Sequence, residues 1–202
     1  ARRRLEPALV AYVGRQLCEG LHFAHHDART ADGHLLRVVH RDLNPPNVLV
    51  SRTGQVKITD FGIARALGDA AAFTGTQEGK AEYLAPEQVE GRPVDERCDL
   101  FALGIILWEM LCGRRLFHRG GQAAALAAIL KDEILPPSAH RGDLDPAWDS
   151  FFRNALARDV TLRFESARAM RDALVDIAGR GEKADHEHLA ALVTSLSDAG
   201  KA

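Results

Sequence analysis

Apolar side chains recur at helical spacing from about Leu5 to His26, through Leu9, Val13, Leu17, Leu21 and Ala24, which predicts a first helix. The pattern then breaks. Asp32-Gly33 is a turn signal, so the stretch from Asp27 to Leu36 is expected to be a loop or a hairpin. Two short β-branched runs follow, Val48-Leu49-Val50 and Val56-Lys57-Ile58, joined by Ser51-Arg52-Thr53-Gly54-Gln55, and they predict a hairpin. From Asp60 to Glu87 there is little periodicity and there are many small residues, which predicts a long ordered loop. Loops of that length inside a domain are usually functional. From Asp99 onward the pattern is helical. Leu100 to Cys112 is apolar almost all round and predicts a central, buried helix. Further helices are predicted near 122–131, 146–157 and 166–177, with Pro136-Pro137 separating the first two. Gly179 to Ala184 is a polar break, and 187–196 forms a final amphipathic stripe through Leu189, Leu192, Val193 and Leu196. The expected fold is mainly α with one small β-hairpin.

A chain of 202 residues is long enough for one domain with a real core. Its 26 basic and 28 acidic residues nearly balance, which argues against nucleic acid as the main partner. Arg2, Arg3 and Arg4 read as the solvated start of a helix. Cys18, Cys98 and Cys112 are widely spaced and show neither a disulfide framework nor zinc spacing, so a reducing, cytoplasmic setting is expected. No signal-peptide pattern opens the sequence. The most apolar run, Phe101 to Cys112, contains Glu109 and is shorter than the roughly 20 residues that cross a bilayer, so no membrane span is expected. His22, His25 and His26 cluster at a helix end but do not make a closed ligand set.

Three motifs carry the chemistry. The first is His40-Arg41-Asp42-Leu43-Asn44-Pro45-Pro46-Asn47, the second Asp60-Phe61-Gly62, and the third Ala85-Pro86-Glu87. In this order, with a strand pair between the first two, they resemble the catalytic loop, metal-binding turn and activation-segment end of eukaryotic-type (Hanks-type) serine/threonine protein kinases, of bacterial type. The likeness covers about Leu5 to Ile177 and corresponds to the C-terminal lobe of a kinase. The expected division is therefore a C-lobe portion over residues 5–178, followed by the polar break and amphipathic helix over 179–202.

The resemblance implies a set of roles. Asp42 would be the catalytic base. Asn47 and Asp60 would hold magnesium, and through it ATP, and hard oxygen donors suit that ion. Leu49 falls where the family places an apolar residue under the adenine ring. His40 and Phe61 would be packed structural residues, stacked on one another. Glu87 and Arg163 would form a buried ion pair, and Asp99 would accept backbone N–H groups of the catalytic loop. Arg41 before the base implies a regulatory phosphate on the activation segment, with Thr76 as acceptor and Thr74 as runner-up.

The sequence also departs from the family. No glycine-rich loop and no strand lysine with a partner glutamate precedes His40, so the N-lobe parts that grip ATP are missing, and the chain reads as a lobe that needs an upstream segment. The lysine usual two residues after the catalytic aspartate is Asn44 here. The threonine usual before the activation-segment tyrosine is Lys80, in Gly79-Lys80-Ala81-Glu82-Tyr83. The chemistry of the two positions is exchanged, and Lys80 is expected to reach back to Asp42. The implied activity is transfer of the ATP γ-phosphate to a protein serine or threonine, weak in this chain alone. Two other readings stay open: a pseudokinase-like docking module, and a small-molecule kinase of related fold.

Overall fold

The computed structural model describes residues 3–61, 79–181 and 183–199. Helix α1 (Pro7–His22) starts on a proline, whose missing N–H costs nothing in a first helical turn. It buries Leu9, Val10, Val13, Leu17 and Leu21. The helix does not simply stop. It widens into a π-turn over Phe23–Asp27, closed by the Ala28 N–H donating to the Phe23 carbonyl at 2.7 Å. That extra residue per turn carries the His25 side chain into the interior. The loop beyond it is pinched by a single bridge between Arg29 and Leu35.

Strands β1 (Val48–Val50) and β2 (Val56–Ile58) pair antiparallel in the register Val48↔Ile58, Leu49↔Lys57, Val50↔Val56. A lone two-stranded ribbon is marginal in water, and this one is backed by α1. Tyr12 of α1 donates its hydroxyl to the Gly54 carbonyl at 3.3 Å. Gly54, at φ 75°, meets the chain again at its far end. A Cβ there would lie 1.9 Å from the His186 carbonyl oxygen, so only glycine fits the turn.

The segment expected to be one long loop is ordered into short elements where it is described. Residues Lys80–Tyr83 form a 3₁₀ turn, and α2 (Pro86–Val89) follows. Helix α3 (Arg97–Cys112) begins three residues earlier than its apolar run suggests and is buried on nearly every side. It ends on Gly113 in the left-handed conformation, whose N–H caps the Glu109 carbonyl at 2.9 Å. Helices α4 (Gln122–Lys131), α5 (Ala147–Ala155), α6 (Ala167–Ala178) and α7 (His186–Ala199) complete the lobe. Helix α1 lies along α6 at close range, because Gly14 presents no side chain. A Cβ there would come within 2.7 Å of Leu174 Cδ1. No helix among the described residues is long and apolar enough to cross a membrane.

All three thiols are buried and unpaired. Burial pushes Cys112 up to about 12 and raises Cys18 and Cys98 as well, so none is a thiolate at neutral pH. Native protein at pH 8 is expected to resist iodoacetamide, and all three cysteines should label in denaturant. Rapid native alkylation, read by intact mass, would contradict this packing.

Candidate active site

The site is organised from Asp99, in the first turn of α3 and fully buried. Its Oδ2 accepts the His40 N–H and its Oδ1 the Arg41 N–H, each at 2.8 Å. His25 adds a third donor, its Nε2 lying 2.9 Å from Oδ2. These bonds hold Arg41 at φ 63°, a conformation that residues with a Cβ rarely adopt. The sequence shows His25 only as one of three histidines clustered at a helix end, whereas its partner lies 74 residues away. His26 faces Glu96 instead, at 3.1 Å.

His40 joins the loop to the turn after β2. Its Nε2 meets the Thr59 carbonyl at 2.9 Å, so Nε2 carries the proton and Nδ1 accepts from the Asp42 N–H at 3.3 Å. The His40 ring lies against Phe61, with ring centroids 4.8 Å apart. Thr59 donates its N–H to the Asn47 carbonyl at 2.9 Å, which extends the hairpin ladder by one step toward the site. Asn47 and Asp60 therefore come from neighbouring ends of the same ribbon.

Asp42 is gripped on several atoms. Lys80 Nζ donates to its Oδ2 at 3.0 Å, and both side chains are about one-third exposed. Asn44 Nδ2 donates to the Asp42 carbonyl at 2.8 Å and to its Oδ1 at 3.2 Å. Asn47 Nδ2 reaches the same carbonyl at 2.8 Å, which turns the amide so that its oxygen is the end left over. Asn44 is buried, and its Oδ1 has no partner among the described residues. Asp60 stands at φ 57° with an exposed side chain. Leu49 is 54% exposed on β1, beside the half-open Val50.

The Ala85-Pro86-Glu87 motif is fastened from behind. Arg163 and Glu87 form a bidentate pair at 2.7 Å on both arms, with the side chains 0% and 3% exposed. The remaining guanidinium donors go to the carbonyls of Ala157, Arg97 and Arg158, and the guanidinium lies over the Phe101 ring. Gln88, next along α2, accepts the Ala85 N–H at 3.0 Å and donates to the Arg41 carbonyl at 2.9 Å.

A second polar cluster escaped the sequence reading. Buried Glu82 binds Arg115 and His118, each at 2.8 Å. The Tyr83 hydroxyl donates to Glu109 at 2.8 Å, and Glu109 also accepts the Leu116 N–H at 3.0 Å. The one hint was Glu109, an acid inside an otherwise apolar helix. Thr74, Thr76 and Gly62 lie outside the described residues.

The family model described as "Protein kinase domain" matches residues 1–175. The chain belongs to the protein kinase family. Its described part is the mainly helical C-lobe of that fold with its small hairpin. Among curated relatives, it is 44% identical over 156 residues to "Tyrosine-protein kinase MasK" of Myxococcus xanthus, covering 77% of this chain and 24% of that protein. It is 34% identical over 163 residues to "Serine/threonine-protein kinase PknB" of Mycolicibacterium smegmatis, covering 79% and 25%. It is 34% identical over 176 residues to the PknB of Mycobacterium tuberculosis, covering 86% and 27%. The chain thus spans about a quarter of the length of these kinases. Protein kinases as a family use ATP with magnesium and act on proteins. The donor set fits a hard divalent cation: the Asn47 amide is turned with its nitrogen inward, and the Asp60 carboxylate is open to solvent.

Proposed function

We propose that this chain is the catalytic and substrate-side lobe of a serine/threonine protein kinase that transfers the γ-phosphate of ATP to a protein hydroxyl. The observation that carries the reading is the state of Asp42, whose carboxylate sits at the mouth of the site with one oxygen on Lys80 and the other on Asn44. In this reading the acceptor hydroxyl gives its proton to the Asp42 carboxylate as its oxygen bonds to phosphorus and the bond from phosphorus to the β-phosphate oxygen breaks. Asn47 and Asp60 would hold magnesium, which when bound neutralises charge on the phosphate oxygens. Leu49 offers the apolar floor for adenine, and its exposure leaves that surface free to be covered. Lys80 supplies the positive charge beside the base that Asn44 cannot. Arg41 is assigned to a phosphate on Thr76 or Thr74. We place the kinase portion at residues 5–178 and the reaction in the cytoplasm.

The glycine-rich loop and strand lysine have no counterpart in these 202 residues. The phosphate clamp would come from polypeptide outside them, and the lobe alone would transfer phosphate poorly. The intact set Asp42, Asn47 and Asp60 favours an enzyme over a docking module. Glu87 clamped by Arg163 behind the activation segment favours a protein kinase over a small-molecule kinase. The name of the Myxococcus relative keeps tyrosine as the competing acceptor.

The test uses γ-labelled ATP, magnesium and a basic protein acceptor. The chain is assayed alone and within its full reading frame, followed by phosphoamino-acid analysis. Label on serine and threonine from the full-length protein, with little from the 202-residue chain, is the expected result. Label on tyrosine would overturn the acceptor assignment. Brisk transfer by the short chain, removed by Asp60→Ala, would overturn the need for an outside clamp.

A further inference from the structure

The end of the activation segment and the catalytic loop meet at one side chain, Gln88. It sits in α2 directly after Glu87, which Arg163 pins in the interior. Its amide has one workable orientation. The oxygen must face the Ala85 N–H at 3.0 Å, and the nitrogen must face the Arg41 carbonyl at 2.9 Å. Arg41 is held from its other side too, where its own N–H donates to Asp99 at 2.8 Å. The carbonyl that Gln88 holds belongs to the peptide joining Arg41 to Asp42, and that peptide is planar and stiff. Fixing the Arg41 oxygen therefore fixes the Asp42 N–H, which lies 3.3 Å from His40 Nδ1. The left-handed Arg41, at φ 63°, is a conformation the chain would leave if one clamp were released.

We propose that Gln88 is a positioning residue for the base: its amide N–H sets the Arg41–Asp42 peptide, and with it the direction of the Asp42 carboxylate, from the activation segment. It touches no reacting atom. Asp99 holds the loop from the core, whereas Gln88 holds it from α2, so a shift of α2 is transmitted to the base through one hydrogen bond. The proposal rests on the protein kinase reading above.

Two substitutions separate the two bonds of this side chain. Gln88→Glu keeps an acceptor for the Ala85 N–H and loses the donor to Arg41. Gln88→Lys keeps a donor of similar reach and loses the acceptor. In the full-length protein, Gln88→Glu is expected to lower kcat about 10- to 100-fold with the KM for ATP unchanged, the signature of a misplaced reacting group. Its melting temperature should also fall, because the new carboxylate faces the Arg41 carbonyl. Gln88→Lys should lower the melting temperature comparably by stranding the Ala85 N–H, yet keep kcat near normal. Hydrogen exchange on the 202-residue chain gives a readout independent of activity. The amides of residues 40–42 should exchange faster in Gln88→Glu than in Gln88→Lys, while those of α3 stay protected. The proposal is overturned if kcat simply follows the melting temperature, or if exchange at 40–42 is unmoved in Gln88→Glu. Should the unsubstituted full-length protein show no transfer, the kinase reading falls, and the exchange comparison still decides the coupling.

Discussion

Replacing Lys80 by threonine is expected to slow phosphoryl transfer roughly 100-fold, about 2.7 kcal/mol of barrier, in the full-length protein. Lys80 Nζ stands 3.0 Å from Asp42 Oδ2, and no other ammonium or guanidinium among the described residues bonds to that carboxylate. A unit-charge pair at about 4 Å is worth roughly 4 kcal/mol at an effective dielectric near 20. Both partners are about one-third exposed, so desolvation is modest and screening trims the gain. The charge matters more in the transition state, when negative charge spreads over the transferring group next to the base. Asn44 cannot substitute for it, because its amide is spent on the Asp42 carbonyl and Oδ1. Adding Asn44→Lys to Lys80→Thr returns the ammonium from the other side of the same contact, and activity should recover. Normal turnover by Lys80→Thr alone would end the assignment.

Glu87→Ala should destabilise the chain by about 3–5 kcal/mol, the usual cost of stranding one member of a buried pair. The guanidinium left behind is 0% exposed, and with Glu87 gone two of its five donors face nothing. For a domain of this size that corresponds to a fall in melting temperature of roughly 6–20 °C. Replacing both partners with apolar residues, Glu87→Leu with Arg163→Met, removes the stranded charge, so its cost should be smaller and set by the carbonyls of Ala157, Arg97 and Arg158 that lose a donor. Thermal denaturation of the single and double variants checks the pair of expectations. A single variant that melts within a degree or two of the parent would mean the guanidinium finds water.

Local pattern shows what neighbours along the chain share, and it served well where burial is local. The hairpin was legible because two short β-branched runs, Val48-Leu49-Val50 and Val56-Lys57-Ile58, flank an obvious turn. Helix α3 was legible because a run without a polar face can only be buried. Only Arg97 and Cys98 lie ahead of the helical pattern read from Asp99 onward, because Arg97 is polar for its bonds to Asp95 and the Val160 carbonyl rather than for the helix. The π-turn at Phe23–Asp27 left no mark in a 3.6-residue pattern, since the extra residue serves a contact to Asp99 far along the chain. The same holds for residues 80–87, read as part of a long ordered loop without elements of its own. Their order comes from Glu82 on Arg115, Tyr83 on Glu109 and Glu87 on Arg163, all long-range. Motif spacing brought Asp42, Asn47 and Asp60 to notice as a group; the Asn47 amide bonds the Asp42 carbonyl, and Asp60 follows Thr59, which pairs with Asn47. It could not reveal Gln88, whose bond to Arg41 spans 47 residues.

The ribbon between Asn47 and Asp60 also behaves as a ruler with its zero mark at the site. The ladder is counted outward from the Thr59–Asn47 bond through Val48↔Ile58 to Val50↔Val56, and only then reaches the 51–55 turn. A residue added or lost in the turn changes the far tip and leaves the spacing of Asn47 and Asp60 intact. A residue added within either strand slips the register by one and turns every side chain of that strand to the opposite face. Length variation should therefore be concentrated at the tip. There the limit is set by a different neighbour, the His186 carbonyl seated on Gly54, so a longer tip is admissible only in a chain whose α7 begins elsewhere.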